Sequence, residues 1–363
     1  MNKHISYGMA ACLVLGTRHA SAQTGAQVYG RLNISVERMT ASPGADVRGA
    51  RVTRLSNNRS VFGFRGKEEL GDGMNLVYQV EGALAPDTGG GAIAQRDTRV
   101  GLEGRHGTLL FGHWASAYSA ATSGLDPFYV TTAAYSSILG NGSAASTDHE
   151  NDKVSFDRRQ ANSVHYWTPS WGDAHLRLTH GLSESRQGSP SKPSLTSVAA
   201  ILDRGAWYVS LAHEIHRNYQ GPGLDDTGTK LGVAYRFGNT RVAGVVERLE
   251  YETVTGELGR TAWYLSLTHQ MGAHGLRASL ARANDARGRS TDTLGYVQAG
   301  PDSGAVHMTA GYEYALSKRT ALHAYLTHLD NEQNAVHDFG INQLGAGTGA
   351  TLKGATLGMR HAF

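Results

Sequence analysis

From Gln27 to Arg38 the chain alternates. Val28, Leu32, Ile34 and Val36 share one parity, while Gln27, Arg31, Asn33, Ser35 and Glu37 share the other. Side chains on a β-strand point to opposite faces with a period of two, so this segment is a strand with one apolar and one polar face. The same texture recurs to the C-terminus. It predicts strands over 27–38, 57–68, 74–84 and 96–103, and a fifth ending at His113. After a long gap it predicts 154–168, 174–181, 195–202, 206–216, 229–237, 241–251, 260–271, 276–283, 305–316, 321–329 and 350–363. That makes sixteen, with one ambiguous stretch at 286–304 that could hold an extra hairpin arm. Glycine is abundant (46) and proline scarce (8), which suits short strands and tight turns. In Glu69-Leu70-Gly71-Asp72-Gly73, the Asp-Gly pair between two alternating runs signals a hairpin.

Two environments can face the apolar side of such strands: a packed core or lipid. Outside residues 5–16 the chain has no run of about 18 apolar residues, so a transmembrane helix is not predicted. Strands that cross a membrane carry a far weaker hydropathy signal. An even number of antiparallel strands can close without an edge, as lipid requires. Connections alternate between short (169–173, 203–205, 238–240, 272–275, 317–320) and long and polar (183–194, 217–228, 331–349). Short turns at one end and long loops at the other are the layout of an outer-membrane barrel. Tyr166, Trp167, Tyr235, Phe237, Tyr312, Tyr314 and Phe363 cluster beside the short turns, where a lipid–water interface would hold them.

The N-terminus reads as a secretory leader. Lys3 and His4 precede a mostly apolar run, and Ala20-Ser21-Ala22 fits a cleavage site, so residues 1–22 are expected to be removed and 23–363 to form one barrel domain. The single cysteine, Cys12, lies in the leader, which excludes disulfides from the mature chain. The formal charge of +3 falls to +1 without Lys3 and Arg18, too little to argue for nucleic acid.

Between the fifth and sixth strands lie 39 residues, 114–152, with no sustained period. A structureless connection of that length inside a compact domain needs somewhere to go. The expectation is that it folds into the bore and narrows it.

Several segments together resemble the Gram-negative general porin family. They are Val28-Tyr29-Gly30, Gly63-Phe64-Arg65-Gly66-Lys67-Glu68-Glu69-Leu70-Gly71-Asp72-Gly73, Arg96 with Val100-Gly101-Leu102, and Arg159-Gln160-Ala161-Asn162-Ser163-Val164 followed by Tyr166 and Thr168-Pro169. Near the end come Leu316-Ser317-Lys318-Arg319-Thr320-Ala321-Leu322 and Gly358-Met359-Arg360-His361-Ala362-Phe363. The resemblance implies a homotrimeric sixteen-stranded outer-membrane channel, surrounded by lipid and lipopolysaccharide. It also implies that the last strand, ending at Phe363, is read by the outer-membrane assembly machinery.

In that family, arginines on the barrel wall face an acidic third loop. Opposed charges across a wet gap select among solutes. Arg96 and Arg159 match the family's wall arginines by motif. Where a third is expected the chain has Val61; Arg59, two residues back on the same face, can substitute, and Arg31 adds charge on the first strand. Arg96 shares parity with Val100 and Leu102, so a bulge must intervene or Arg96 must lie above the hydrocarbon belt. His113 stands where the family often has arginine and could make the wall pH-sensitive. Of the loop acids Asp126, Asp148, Glu150 and Asp152, the turn Asp126-Pro127-Phe128 marks Asp126 as the constriction acid.

Motifs for metalloproteases, serine hydrolases and phosphate-cradling loops are absent from the sequence, so an enzyme is not expected, nor a cofactor or metal. His213 and His216 are three apart, which on a strand points them to opposite faces. Calcium held by loop acids stays open. The leading expectation is a diffusion porin for small hydrophilic solutes with a modest anion preference. The alternatives are a secreted all-β binding protein, with the apolar faces as its core, and a surface adhesin barrel.

Overall fold

The structure is a computed structural model that describes residues 25–144, 152–184 and 191–363. The expected leader, its cleavage before Gln23, and the acids Asp148 and Glu150 lie outside the described residues.

Sixteen strands form one antiparallel wall. In chain order they are β1 (Gln27–Ala41), β2 in two pieces (Ala50–Asn57 and Val61–Gly71), β3 (Met74–Ala85), β4 (Thr98–Gly104), β5 (Gly107–Ala115), β6 (Arg159–Trp167), β7 (Ala174–Gly181) and β8 (Ser194–Arg204). Then come β9 (Trp207–Gly221), β10 (Leu224–Phe237), β11 (Thr240–Thr253), β12 (Gly256–Met271), β13 (His274–Ala283), β14 (Ala305–Ala315), β15 (Thr320–Asn331) and β16 (Thr351–Ala362). Each pairs with its chain neighbours, and β16 returns to β1, with Ala362 opposite Arg31 and Leu352 opposite Ala41. The sheet is therefore a closed barrel. The expected Asp-Gly hairpin is present between β2 and β3, with φ of 52° at Asp72 and 74° at Gly73.

The expected segment 286–304 adds no wall strand. Arg287–Gly288 pairs briefly with β12, and Thr293–Leu294 makes a two-residue hairpin with Val297–Gln298 that packs against the third loop. Strand ends differ more. The polar stretch expected as a loop over 217–228 is mostly wall: β9 and β10 meet across two residues, and β11 and β12 do the same. These strands reach 14–16 residues, where about 9–11 span the hydrocarbon. Above the membrane both faces are polar, so the alternation that marks a strand disappears while the hydrogen-bonded ladder continues.

Parity sorts the two faces. Val36, Leu211, Val246, Leu265, Leu326 and Leu357 are each more than half exposed on the outer side. Their strand neighbours Ser35, Glu37, Glu214 and Glu247 are buried inside. Tyr166, Tyr235, Phe237, Tyr312, Tyr314 and Phe363 are exposed beside the short turns, where Trp171 and Trp207 join them. Trp167 is a correction to the expected belt: it packs beside Arg99, Trp114 and Arg177 on the lumen side.

The third loop folds into this lumen. It opens with a short helix, α1 (Ala117–Ser123), capped by Ser116 Oγ accepting from the Ser119 amide at 3.1 Å. Its hydrogen-bond partners lie on strand after strand: Thr179 of β7, Ser197 of β8, Ser210 of β9, Glu247 of β11, Tyr264 and Ser266 of β12, and Thr309 of β14. At its far point Thr132 donates to Glu37 of β1 at 2.8 Å. Beneath it the inward positions are small. Tyr118, Ala121 and Phe156 pack on Ala199 and Ala212, and Leu125, Tyr135 and Ile138 on Ala234, Ala243, Ala262 and Ala281. At Gly311 the approach is closer still: a Cβ there would stand 2.7 Å from the ring of Phe128.

Candidate pore constriction

The third loop packs from β7 to β15 and touches β1 at Glu37, which leaves the rest of the wall from β1 to β6 as the opposite side of the bore. The four expected arginines meet there. Arg31, on β1, donates from Nη2 to the carbonyl of Arg59 at 3.0 Å. Arg59 sits in the break between the two pieces of β2 with φ of 52°. The break is held by side chains, since Ser60 Oγ accepts the amide of Asn33 at 2.9 Å and Asn57 Oδ1 that of Ser60 at 3.0 Å. Arg96 lies before β4, after Ala94 at φ of 60°, so the parity of Val100 and Leu102 does not apply to it. Its Nε donates to Glu81 Oε1 at 2.9 Å. Arg159, the first residue of β6, donates to Asp97 Oδ1 at 2.6 Å. Arg59 and Arg159 both act electrostatically on Arg31 and on Arg96. His113 lies within reach of Arg96, Arg159 and Asp97. Val61 is buried and pairs across to Arg31.

Asp126 is a correction. The structure does not bring it to Arg96 and Arg159. It is 5% exposed, and Oδ1 accepts the Phe128 amide at 2.9 Å and the Tyr264 hydroxyl at 2.7 Å, while Oδ2 accepts the Tyr135 amide at 2.8 Å. It closes a turn of the loop onto β12, on the side away from the arginines. Burial pushes its carboxyl up to about 6, against the three hydrogen bonds, which pull it down.

The acid that does meet the arginines is Asp157, just before β6. With Arg59, Ser119, Tyr129, Arg158 and Arg159 it lines a cavity of about 50 Å³. Oδ1 accepts from Ser119 Oγ at 2.8 Å and Oδ2 from Ser143 Oγ at 2.9 Å. Gly140 admits this carboxylate: its φ is 71°, and a Cβ would stand 2.7 Å from that of Asp157. The sequence argument passed over Asp157 because it was placed inside a strand, two residues before Arg159. Asp152, the remaining loop acid, accepts the amides of Val154 and Ser155 and is buried. Among the described residues, the loop thus presents no exposed carboxylate. Two acids that face the bore, Glu81 and Asp97, sit on the arginine side itself.

Lumen arginines face an inserted loop, inside a closed antiparallel barrel with an apolar outer belt. These features define a pore-forming outer-membrane protein. The chain belongs to the Gram-negative porin family, whose profile matches residues 10–334. It is 25% identical to outer membrane porin protein 32 of Delftia acidovorans, over 98% of this chain and 99% of that protein. It is 23% identical to the major outer membrane protein P.IB of Neisseria lactamica, over 97% and 98%. Among solved structures it is similar to an anion-selective porin from Comamonas acidovorans, with a TM-score of 0.75, 20% identity, and coverage of 94% of this chain and all of that one. The protein is an outer-membrane diffusion channel. A closed barrel rules out the secreted sandwich.

Proposed function

We propose that the pore admits small hydrophilic solutes with a modest preference for anions, and that the third loop, 114–152, sets its narrowest section. One observation carries the reading: the charge census of that section. The guanidiniums of Arg31, Arg59, Arg96, Arg158 and Arg159 outnumber the carboxylates Glu81, Asp97 and Asp157, and each carboxylate is already engaged. Arginine stays charged when partly desolvated, so the excess persists at any physiological pH. A wet gap lined by a small positive excess attracts anions without trapping them. The similar Comamonas acidovorans protein is described as anion-selective, which agrees.

The same reading takes the chain as a single barrel after removal of residues 1–22, assembled as a homotrimer in contact with lipid and lipopolysaccharide. Phe363 is taken as the mark that the assembly machinery reads. Planar-bilayer recordings in a KCl gradient test the pore: the expected reversal potential has the sign of chloride preference, and a cation-preferring potential would sink the arginine argument. Chemical cross-linking of purified protein tests the trimer.

A further inference from the structure

One cluster of charged and aromatic side chains in the lumen takes no part in the constriction. Arg99 of β4 lies at the inward parity, since Val100 and Leu102 point out. Its Cζ stands 3.6 Å from the ring centroid of Trp114 and 4.6 Å from that of Trp167. Arg177 of β7, the register partner of Trp167, stands 5.1 Å from the same ring. The two indoles meet edge-on with centroids 6.1 Å apart. Trp114 pairs with Gln160, next to Arg159, and Trp167 ends β6, so the cluster runs from the level of the constriction toward the short turns. Arg99 Nη1 and Arg177 Nε are shielded from solvent and have no hydrogen-bond partner among the described residues. Asp97, the carboxylate that acts most strongly on Arg99, is held by Arg159. Nearby His165 is occupied by Ser163 Oγ at 2.8 Å and Thr179 Oγ1 at 2.9 Å.

We propose that Arg99, Trp114, Trp167 and Arg177 form a subsite for planar carboxylates, of which benzoate is the simplest probe. The proposal rests on the anion-preferring pore above and adds a solute class to it. A guanidinium whose face lies on an indole keeps its N–H groups free around its rim. A carboxylate pairs with that rim in the guanidinium plane. A flat ring attached to the carboxylate then continues in the same plane over the half-buried indole, where it stacks. A saturated ring of similar size makes the same ion pair and loses the stack.

The test uses the purified full-length protein in planar bilayers. Benzoate and cyclohexanecarboxylate, equal in charge and close in size, are titrated against the KCl current. The half-blocking concentration of benzoate is expected to be about two- to tenfold lower, the factor one aromatic stack supplies. Trp167→Leu is expected to abolish the difference while KCl conductance persists. Trp114→Leu serves the same purpose if the first variant fails to assemble, as judged by heat-modifiable migration. Equal block by the two acids in the unmodified protein, or a difference that survives both substitutions, overturns the proposal. The KCl reversal potential, read on the same channels, reports anion preference separately. A cation-preferring pore that still discriminates the two acids would overturn the reading of the constriction and leave the subsite standing.

Discussion

The hydroxyl of Tyr118 donates to Glu247 Oε1 at 2.7 Å, and the second oxygen of that carboxylate accepts the amide of Gly140 at 2.7 Å. One side chain of β11 thus holds both the outgoing and the returning limb of the third loop. Lys230 of β10 lies 3.9 Å from the Tyr118 ring centroid, and the Glu247 carboxylate acts on its buried ammonium. Removing one partner of such a buried group costs about 3–5 kcal/mol. Glu247→Ala is therefore expected to release the loop while the barrel stays closed. Single-channel recordings should show larger, noisier currents, and external protease should cut between 124 and 144. A variant as quiet and resistant as the parent would count against this anchor.

Arg159→Gln removes one of the constriction guanidiniums and frees Asp97. A unit charge about 8 Å from a passing ion in a water-like medium contributes about 0.5 kcal/mol. Chloride preference should fall roughly two- to threefold and approach a non-selective pore. The effect should shrink at 1 M salt, where the Debye length is about 3 Å. Reversal potentials at two ionic strengths check both statements.

Loop seating depends on pH through two groups with opposite signs. Asp126 is raised from 3.8 to about 6 by burial, so its contribution is full below 3.8 and lost as pH rises through 6. His337, on the connection between β15 and β16, is lowered from 6.5 to about 3, by burial and then by Arg260. It bonds the Ser137 carbonyl of the third loop at 2.8 Å, and its contribution is full above 6.5 and lost as pH falls toward 3. Asp126→Asn should leave only the acid-side loosening. His337→Gln should leave only the loosening that develops as pH rises from about 4 through 6. Closure frequency in bilayers from pH 4 to 8 separates the two slopes.

Gly30 and Phe363 form the seam at the short-turn end. Their backbones exchange hydrogen bonds of 3.0 and 3.1 Å, and the Phe363 ring covers the glycine. A Cβ at position 30 would stand 2.3 Å from that ring and 2.8 Å from the Val61 carbonyl. The ring can yield, but the carbonyl cannot, so Gly30→Ala is expected to cost about 1–3 kcal/mol. The folded band on a denaturing gel should convert to the unfolded one at a lower temperature.

The wall was legible because lipid on one side and water on the other force a period of two, and sixteen strands could be counted from it. Where that contrast ends, above the membrane on β9 to β12, the sequence reads as loop although the ladder continues. Arg96 and Arg159 were found by motif, Arg59 and Arg31 by the strand face they share, and all four lie on the β1 to β6 side of the lumen. Asp126 was misplaced because a turn shows which backbone bends, not which way its carboxylate points. A better clue lay in the inward positions of β8 to β13. Ala199, Ala212, Ala234, Ala243, Ala262 and Ala281 are too small and apolar for a wall facing water, and they mark where the loop lies.

The loop's anchors run from β7 to β14 and end on Glu37 of β1, the strand that β16 meets last. A chain synthesised from its N-terminus therefore holds one half of its seam exposed until the other half exists. The anchors on β14 and on β1 come within one loop's reach only when β16 has joined β1, so the full set of contacts that seats the insert exists only in the closed ring.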